Sequence, residues 1–163
     1  MEKLTVRPFT MDGVDDLLRI ARHPEVTKYT PNLIRDRDLM MAWAENLLET
    51  CHEYMILLDG NVIGECSLDE KDGDIGVMLF PEYWRQGYGT AVIKQLMQTA
   101  VKLGLEGAQA KTDENNAACI GLLRKLDFQK VGAGWNLSED DWEKSLAEIQ
   151  TLLIFQKELA DKI

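Results

Sequence analysis

The sequence predicts a mixed α/β fold, in which a central and mostly antiparallel sheet is flanked by helices, as a single domain over residues 1–163. Three observations predict this fold class. The chain is 45% hydrophobic and 28% charged over 163 residues, which suits one soluble domain with its own core. Consecutive strand-like runs occupy its middle. The later part of the chain then alternates strand-like and helix-like patterns.

An alternating strand and two amphipathic helices open the chain. Residues 3–9, KLTVRPF, alternate as a strand does. Residues 11–23 carry apolar residues at helical spacing, and so do residues 36–51. The apolar face expected on the second helix consists of Leu39, Met40, Trp43, Leu47 and Leu48.

An antiparallel meander is predicted next. Residues 53–68 are typical of a β-hairpin whose turn is Asp59-Gly60-Asn61, because Asp-Gly is a preferred hairpin turn. Residues 71–73, KDG, predict a second turn, and residues 74–80 predict the following strand.

Strands and helices alternate in the remaining part of the chain. The predicted elements are a helix over 90–104, a strand over 107–112, a helix over 113–126, a strand over 127–134 and a last strand over 151–159. Gly104 suits the end of the first helix, and Asp113 is the candidate N-cap of the second.

Charge and residue usage exclude several classes of function. Lys and Arg number 18 against 28 Asp and Glu, a formal net charge of −10, so no nucleic-acid partner is expected. The apolar runs are too short for a membrane span, so no membrane partner is expected either. Cys51, Cys66 and Cys119 lack metal-ligand spacing, which predicts no metal site. Unpaired thiols indicate a reducing, cytoplasmic location.

The stretch PEYWRQGYGTAVIKQL, residues 81–96, is the most informative motif. Gly87 and Gly89 stand where a predicted strand gives way to a helix. The N-terminus of a helix offers unpaired N–H groups, and glycines let an anion approach them closely. The motif therefore predicts either a phosphate-binding loop or a turn that is eased by glycine. It lacks the lysine of a Walker loop, and Val92 replaces the third glycine of a dinucleotide-binding fingerprint.

Together with TDENNAACIGLLRKLDF, residues 112–128, this motif resembles the GNAT superfamily of N-acetyltransferases, and most closely the branch that contains the ribosomal-protein N-terminal acetyltransferases. The resemblance covers the chain up to about residue 134. The matching residues are Tyr83-Trp84, Gly87-Tyr88-Gly89, Asn116, Cys119 and Lys125-Leu126-Asp127-Phe128. Two residues depart from the pattern: Trp84 stands where the superfamily usually has Arg or Gln, and Asp127 replaces a glycine.

The resemblance implies that the chain binds acetyl-CoA. It assigns the pyrophosphate to the backbone amides of Arg85, Gln86, Gly87, Tyr88, Gly89 and Thr90. It assigns the pantetheine and thioester to a strand that splays from its neighbour, at Val77, Met78 and Leu79. Asn116 would contact the cofactor, although capping the second helix is an alternative role for it.

Acetyl transfer to an amine needs a proton acceptor for the amine and a proton for the departing thiolate. Many members of the superfamily donate that proton from a tyrosine whose place is taken here by Leu123. Cys119 is a candidate donor, or else a small core residue. Members of the superfamily often use a carboxylate near the start of the strand before the glycine turn as the base, so the resemblance makes Asp74 the first candidate base and Glu65, on the preceding strand, the second. Alternation places Glu65 on the strand face opposite to Cys66, and each carboxylate also suits a solvated strand position. Catalysis without a dedicated base is a further alternative.

The resemblance therefore implies an N-acetyltransferase that moves the acetyl group of acetyl-CoA to a primary amine of a small molecule or of a peptide or protein N-terminus. The alternatives are a catalytically silent domain that binds acyl-CoA, and an interaction domain whose glycines merely ease a turn. The acidic segment 138–144 either borders the acceptor cleft or forms a solvated helix. Assembly into a homodimer is a further expectation that the resemblance allows.

Overall fold

Four antiparallel strands form the first sheet of the protein. The computed structural model describes residues 2–30, 33–50, 52–135 and 151–159. The strands of this sheet, in their spatial order, are β1 Leu4–Pro8, β2 His52–Leu58, β3 Asn61–Leu68 and β4 Ile75–Leu79. Asp59 and Gly60 form the turn between β2 and β3 with φ of 51° and 85°, as a tight hairpin requires. The predicted meander is therefore confirmed.

Three further antiparallel strands form the second sheet, in the order β5-β7-β6. They are β5 Gly107–Asp113, β6 Gln129–Trp135 and β7 Thr151–Glu158. Within the described residues, the two sheets meet at one parallel bridge, between Asp74 and Gln109, where the Gln109 N–H donates to the Gly73 carbonyl at 2.9 Å. Beyond this bridge no ladder joins β4 to β5 among the described residues. A gap therefore opens between the two edge strands, and we call it the wedge.

The described part of the chain contains five α-helices, which flank the sheets: α1 Val14–Arg22, α2 Pro24–Thr27, α3 Arg37–Thr50, α4 Tyr88–Lys102 and α5 Ala117–Lys125. Helices α1 and α3 cover one face of the first sheet, where their apolar side chains pack with Phe9 and Met55. Helices α4 and α5 pack on the other face with alternate strand residues such as Ile56 and Cys66. The mixed α/β class with helices on both sides of antiparallel sheets is confirmed.

The apolar face predicted for α3 was partly wrong. Met40 and Ala44 are buried, but Leu39, Trp43 and Leu48 are exposed. Ala44 has no solvent exposure in the cluster that α3 shares with α1. Its small side chain permits a close approach of the two helices, and this orientation leaves the larger residues partly in contact with solvent.

The predicted N-cap of α5 was also wrong. Asp113 still belongs to β5, where it pairs with Leu152 of β7, so the helix begins later than expected. Asn116 is the N-cap, and its side-chain oxygen accepts a hydrogen bond from the Cys119 N–H at 3.1 Å. Asp113 instead accepts from the Asn115 N–H at 2.8 Å.

Two predictions concern residues outside the described ones: the place of the acidic segment 138–144 and the unpaired thiol of Cys51. Within the described ranges, no helix combines the length and the apolar composition that crossing a bilayer requires.

Candidate active site

The glycine motif forms the turn between β4 and α4. Gly87 is the N-cap of α4 and has φ of 87°, a left-handed conformation that favours glycine. A Cβ atom placed on Gly87 would meet no heavy atom within 4 Å, so this position faces open space. The first turn of α4 contains no acidic residue, so no side-chain anion of that turn competes for the N–H groups there. These features suit the approach of an external anion.

Gly89 has different surroundings from Gly87. A Cβ atom on Gly89 would lie 3.4 Å from Cδ2 of Leu122 on α5. The second glycine therefore faces the neighbouring helix, where its small size lets α4 and α5 pack closely. Sequence reasoning had given both glycines the same task of admitting an anion.

A hydrogen bond from the indole of Trp84 connects this loop to the end of β4. Its Nε1–H donates to the Leu79 carbonyl at 2.8 Å, and Gln86 donates from Nε2 to the Glu82 carbonyl at 2.8 Å. Arg85 between them has φ of 62°, so the loop holds a conformation that is unusual outside glycine. The departure at Trp84 thus supplies a hydrogen bond that positions the loop.

The backbone of β4 presents hydrogen-bonding groups to the wedge. Phe80 N–H bonds to Ile63 of β3, whereas the carbonyls of Gly73 and Leu79 bond on the opposite side of the strand. Because peptide groups alternate in direction along a strand, the N–H and C=O of Val77 point into the wedge. Met78 directs its backbone toward β3 instead.

Asn116 and Cys119 lie together at the start of α5. The carbonyl oxygen of the Asn116 side chain caps the helix, which is the alternative role predicted for it. Cys119 is half-buried, and burial raises the pKa of its thiol, an effect that a hydrogen bond with Thr112 opposes. The side chain therefore keeps its proton at neutral pH and suits a proton donor better than a nucleophile. Leu123, at the usual tyrosine position, is buried in the core.

Asp74 lies where the two sheets meet, at the narrow end of the wedge. Its Oδ1 is buried and has no hydrogen-bond partner among the described residues. The pKa of Asp74 is raised to about 6, chiefly by burial and also by the carboxylates of Asp72 and Asp69, while Lys111 and a hydrogen bond with Gln109 oppose the rise. A carboxylate with this pKa is ionised at neutral pH and can accept a proton.

Glu65 lies away from Asp74, on the face of the first sheet that α1 and α3 cover. It is only 6% exposed and pairs with Met78 of β4, four residues from Asp74, a separation of about 13 Å along the strand. Burial raises the pKa of Glu65, and a hydrogen bond with Glu53 opposes the rise. Cys66 points to the opposite face, as the predicted alternation requires.

Sequence reasoning missed Glu53, which is also only 6% exposed. The two glutamates come together because a β-bulge between Ile56 and Leu57 shifts the register of β2 against β3. The signal available in the sequence was a charged residue on the same strand face as Met55, which points into the core.

The described residues contain no group of three or more His, Cys, Asp or Glu side chains that could hold a metal ion.

The chain is similar to known acetyltransferases. Residues 3–129 match the family model described as acetyltransferase (GNAT) domain. The uncharacterized N-acetyltransferase p20 of Bacillus licheniformis is 30% identical over 145 residues, 80% of this chain and 82% of that protein.

Two solved structures share the fold at low sequence identity. The yncA structure of Salmonella typhimurium, which contains its cofactor acetyl-CoA, has a TM-score of 0.73 at 18% identity, covering 98% of this chain and 95% of that one. Ribosomal-protein-alanine N-acetyltransferase of Brucella melitensis has a TM-score of 0.75 at 20% identity, covering 95% of this chain and 99% of that one.

Proposed function

Because the chain belongs to the GNAT family of acetyltransferases, we propose that it moves the acetyl group of acetyl-CoA to a primary amine of a small molecule or of a peptide or protein N-terminus. Residues 1–163 work as one domain in this proposal. The ribosomal-protein branch is supported by the motif residues and by the similarity to the Brucella melitensis structure. The free thiols of Cys66 and Cys119 support a reducing, cytoplasmic location.

The observation that carries the proposal is the open edge of β4 beside the N-terminus of α4. An extended chain with amide groups pairs with such an edge as an added strand does, and the pantetheine arm of CoA has this chemistry. Val77 would exchange hydrogen bonds with that arm. The N–H groups that begin at Gly87 would hold the pyrophosphate.

Acetyl-CoA supplies an acetyl group that is activated as a thioester. In the transfer, the amine nitrogen forms a bond to the carbonyl carbon, the carbon–sulfur bond breaks, and sulfur leaves as a thiolate. The amine gives up a proton to Asp74 or to Glu65, directly or through water, and the thiolate takes up a proton from Cys119 or from water. An oxygen without a partner on Asp74 and a protonated thiol on Cys119 support these two roles.

Isothermal titration calorimetry with acetyl-CoA tests the proposal, with NAD and ATP as controls. We expect saturable binding of acetyl-CoA alone among the three. A thiol-release assay with a panel of primary amines then measures transfer. If acetyl-CoA binds but no amine causes release of CoA, the catalytically silent acyl-CoA-binding domain is favoured. The buried Leu123 at the usual tyrosine position supports that alternative. Absence of acetyl-CoA binding would overturn the proposal.

A further inference from the structure

An apolar cavity of about 160 Å³ lies between α1, α3 and the first sheet. Its walls are aliphatic or aromatic except for Glu65, and they include Leu17 and Ile20 of α1, Ile34, and Met78 of β4. An engineered apolar cavity of about 150 Å³ is large enough to bind benzene. The cavity is therefore large enough for one aromatic ring or a short branched aliphatic chain.

Glu65 places an ionisable group in this apolar wall. It is 6% exposed, and its hydrogen bond with the buried Glu53 requires a proton on one of the two carboxyls. A buried carboxylate is costly unless a cation or several donors compensate it. A cationic nitrogen in the cavity would supply that compensation.

The position of Glu65 connects the cavity to the wedge. Glu65 pairs with Met78, so β4 alone separates it from the wedge, and neighbouring strands lie about 5 Å apart. The side chain of Met78 lines the cavity. The backbone N–H and C=O of the neighbouring Val77 point into the wedge. A nitrogen received at Glu65 would therefore lie next to the strand on which the thioester is proposed to bind.

Hydrogen bonds connect the outer wall of the cavity to α1. Arg22 of α1 donates from Nε and Nη2 to the Arg35 carbonyl at 3.0 and 2.8 Å. These bonds hold the segment that carries Leu33 and Ile34, both of which line the cavity. These hydrogen bonds therefore position two of the residues that line the cavity.

We propose that the acceptor is a compact apolar primary amine, whose body fills the cavity and whose cationic nitrogen is received by Glu65. This inference rests on the proposed function. A polyamine would place a second charge against apolar walls, and the hydroxyl-bearing rings of an aminoglycoside would leave polar groups unpaired against the same walls. The same chemistry is offered by a free alkylamine and by a peptide that begins with leucine.

The test is a set of calorimetric titrations without acetyl-CoA, using 3-methylbutylamine, the neutral 3-methylbutanol, spermidine and a tripeptide that begins with leucine. We expect 3-methylbutylamine or the tripeptide to bind more tightly than the alcohol and spermidine. Which of the two binds identifies the source of the amine. Glu65→Gln should weaken binding of the amine about 10- to 100-fold and leave binding of the alcohol unchanged.

Two further variants control this experiment. Ile34→Trp fills the cavity and should weaken the binding of both the amine and the alcohol. Glu106→Gln removes an exposed carboxylate before β5 and should change neither. The comparison of amine with alcohol on the unmodified protein tests the inference even if Glu65→Gln does not fold.

Equal affinity for the amine and the alcohol would overturn the inference, and so would normal binding of the amine by Glu65→Gln. If acetyl-CoA binds but no apolar amine does, the inference fails and the proposed function stands. If the amine binds selectively but acetyl-CoA does not, the proposed function fails and the cavity stands as an amine-binding site.

Discussion

The pKa of Asp74 shows how burial in the fold changes the acidity of a single side chain. Its pKa rises from 3.8 to about 6, chiefly through burial. Between these values the folded protein binds more protons than the unfolded chain does. The contribution of Asp74 to the free energy of unfolding therefore falls as the pH rises from about 4 to about 6, and that contribution changes no further above this range.

Asp74→Asn removes this effect, because asparagine does not ionise. We expect the variant to gain stability relative to the original protein by about 1 kcal/mol at pH 7, after allowance for partial solvent access, and to gain nothing at pH 4. Urea unfolding at both pH values measures the difference. In the same variant the rate of acetyl transfer should fall. A stability difference that is equal at pH 4 and pH 7 would contradict this account of the Asp74 environment.

At the scale of elements, the loop between β4 and α4 is the feature that the sequence predicted best. Gly87 signalled the turn because its left-handed conformation is a local requirement. The bond from Trp84 to Leu79 was not predictable, since it joins an indole to a strand end whose position depends on the folded sheet. The motif thus identified the loop, whereas only the structure shows what holds it.

A pair of matched substitutions tests the role of Gly87. Gly60 in the hairpin turn has nearly the same φ, 85° against 87°, and at both positions a Cβ atom would meet nothing within 4 Å. Gly87→Asn and Gly60→Asn should therefore have similar, small effects on stability, because asparagine tolerates this conformation.

Only Gly87→Asn adds a side chain where the pyrophosphate is proposed to bind. We expect its affinity for acetyl-CoA to fall at least about tenfold, which corresponds to about 1.4 kcal/mol, while Gly60→Asn binds normally. Calorimetric titration of both variants decides the matter. Equal affinities would show that Gly87 serves the turn alone.

At the scale of the whole molecule, local patterns predicted the elements and long-range packing decided the site. The hairpin and the opposite faces of Glu65 and Cys66 followed from turn chemistry and alternation. Counting back from the turn without the bulge at Ile56 would place Glu53 and Glu65 on different faces, because a shift of one residue reverses every side chain. The glutamate pair was therefore not predictable from the sequence.

The wedge makes a further prediction about the molecule as a whole. The two sheets share one bridge, at Asp74 and Gln109, so a ligand that pairs with β4 fills the gap beyond it. Acetyl-CoA at about 100 times its Kd should add about 2.7 kcal/mol to the free energy of unfolding. For a chain of this length that is a rise of about 5–10 °C in Tm.

Hydrogen exchange locates this stabilisation. The Val77 N–H faces the wedge, whereas the neighbouring Met78 N–H faces β3, so acetyl-CoA should slow exchange at Val77 far more than at Met78. Because the two amides are adjacent, each controls for the other, and global stabilisation alone would protect both. If Tm rises while Val77 and Met78 gain equal protection, the ligand binds elsewhere and β4 is not the strand that receives it.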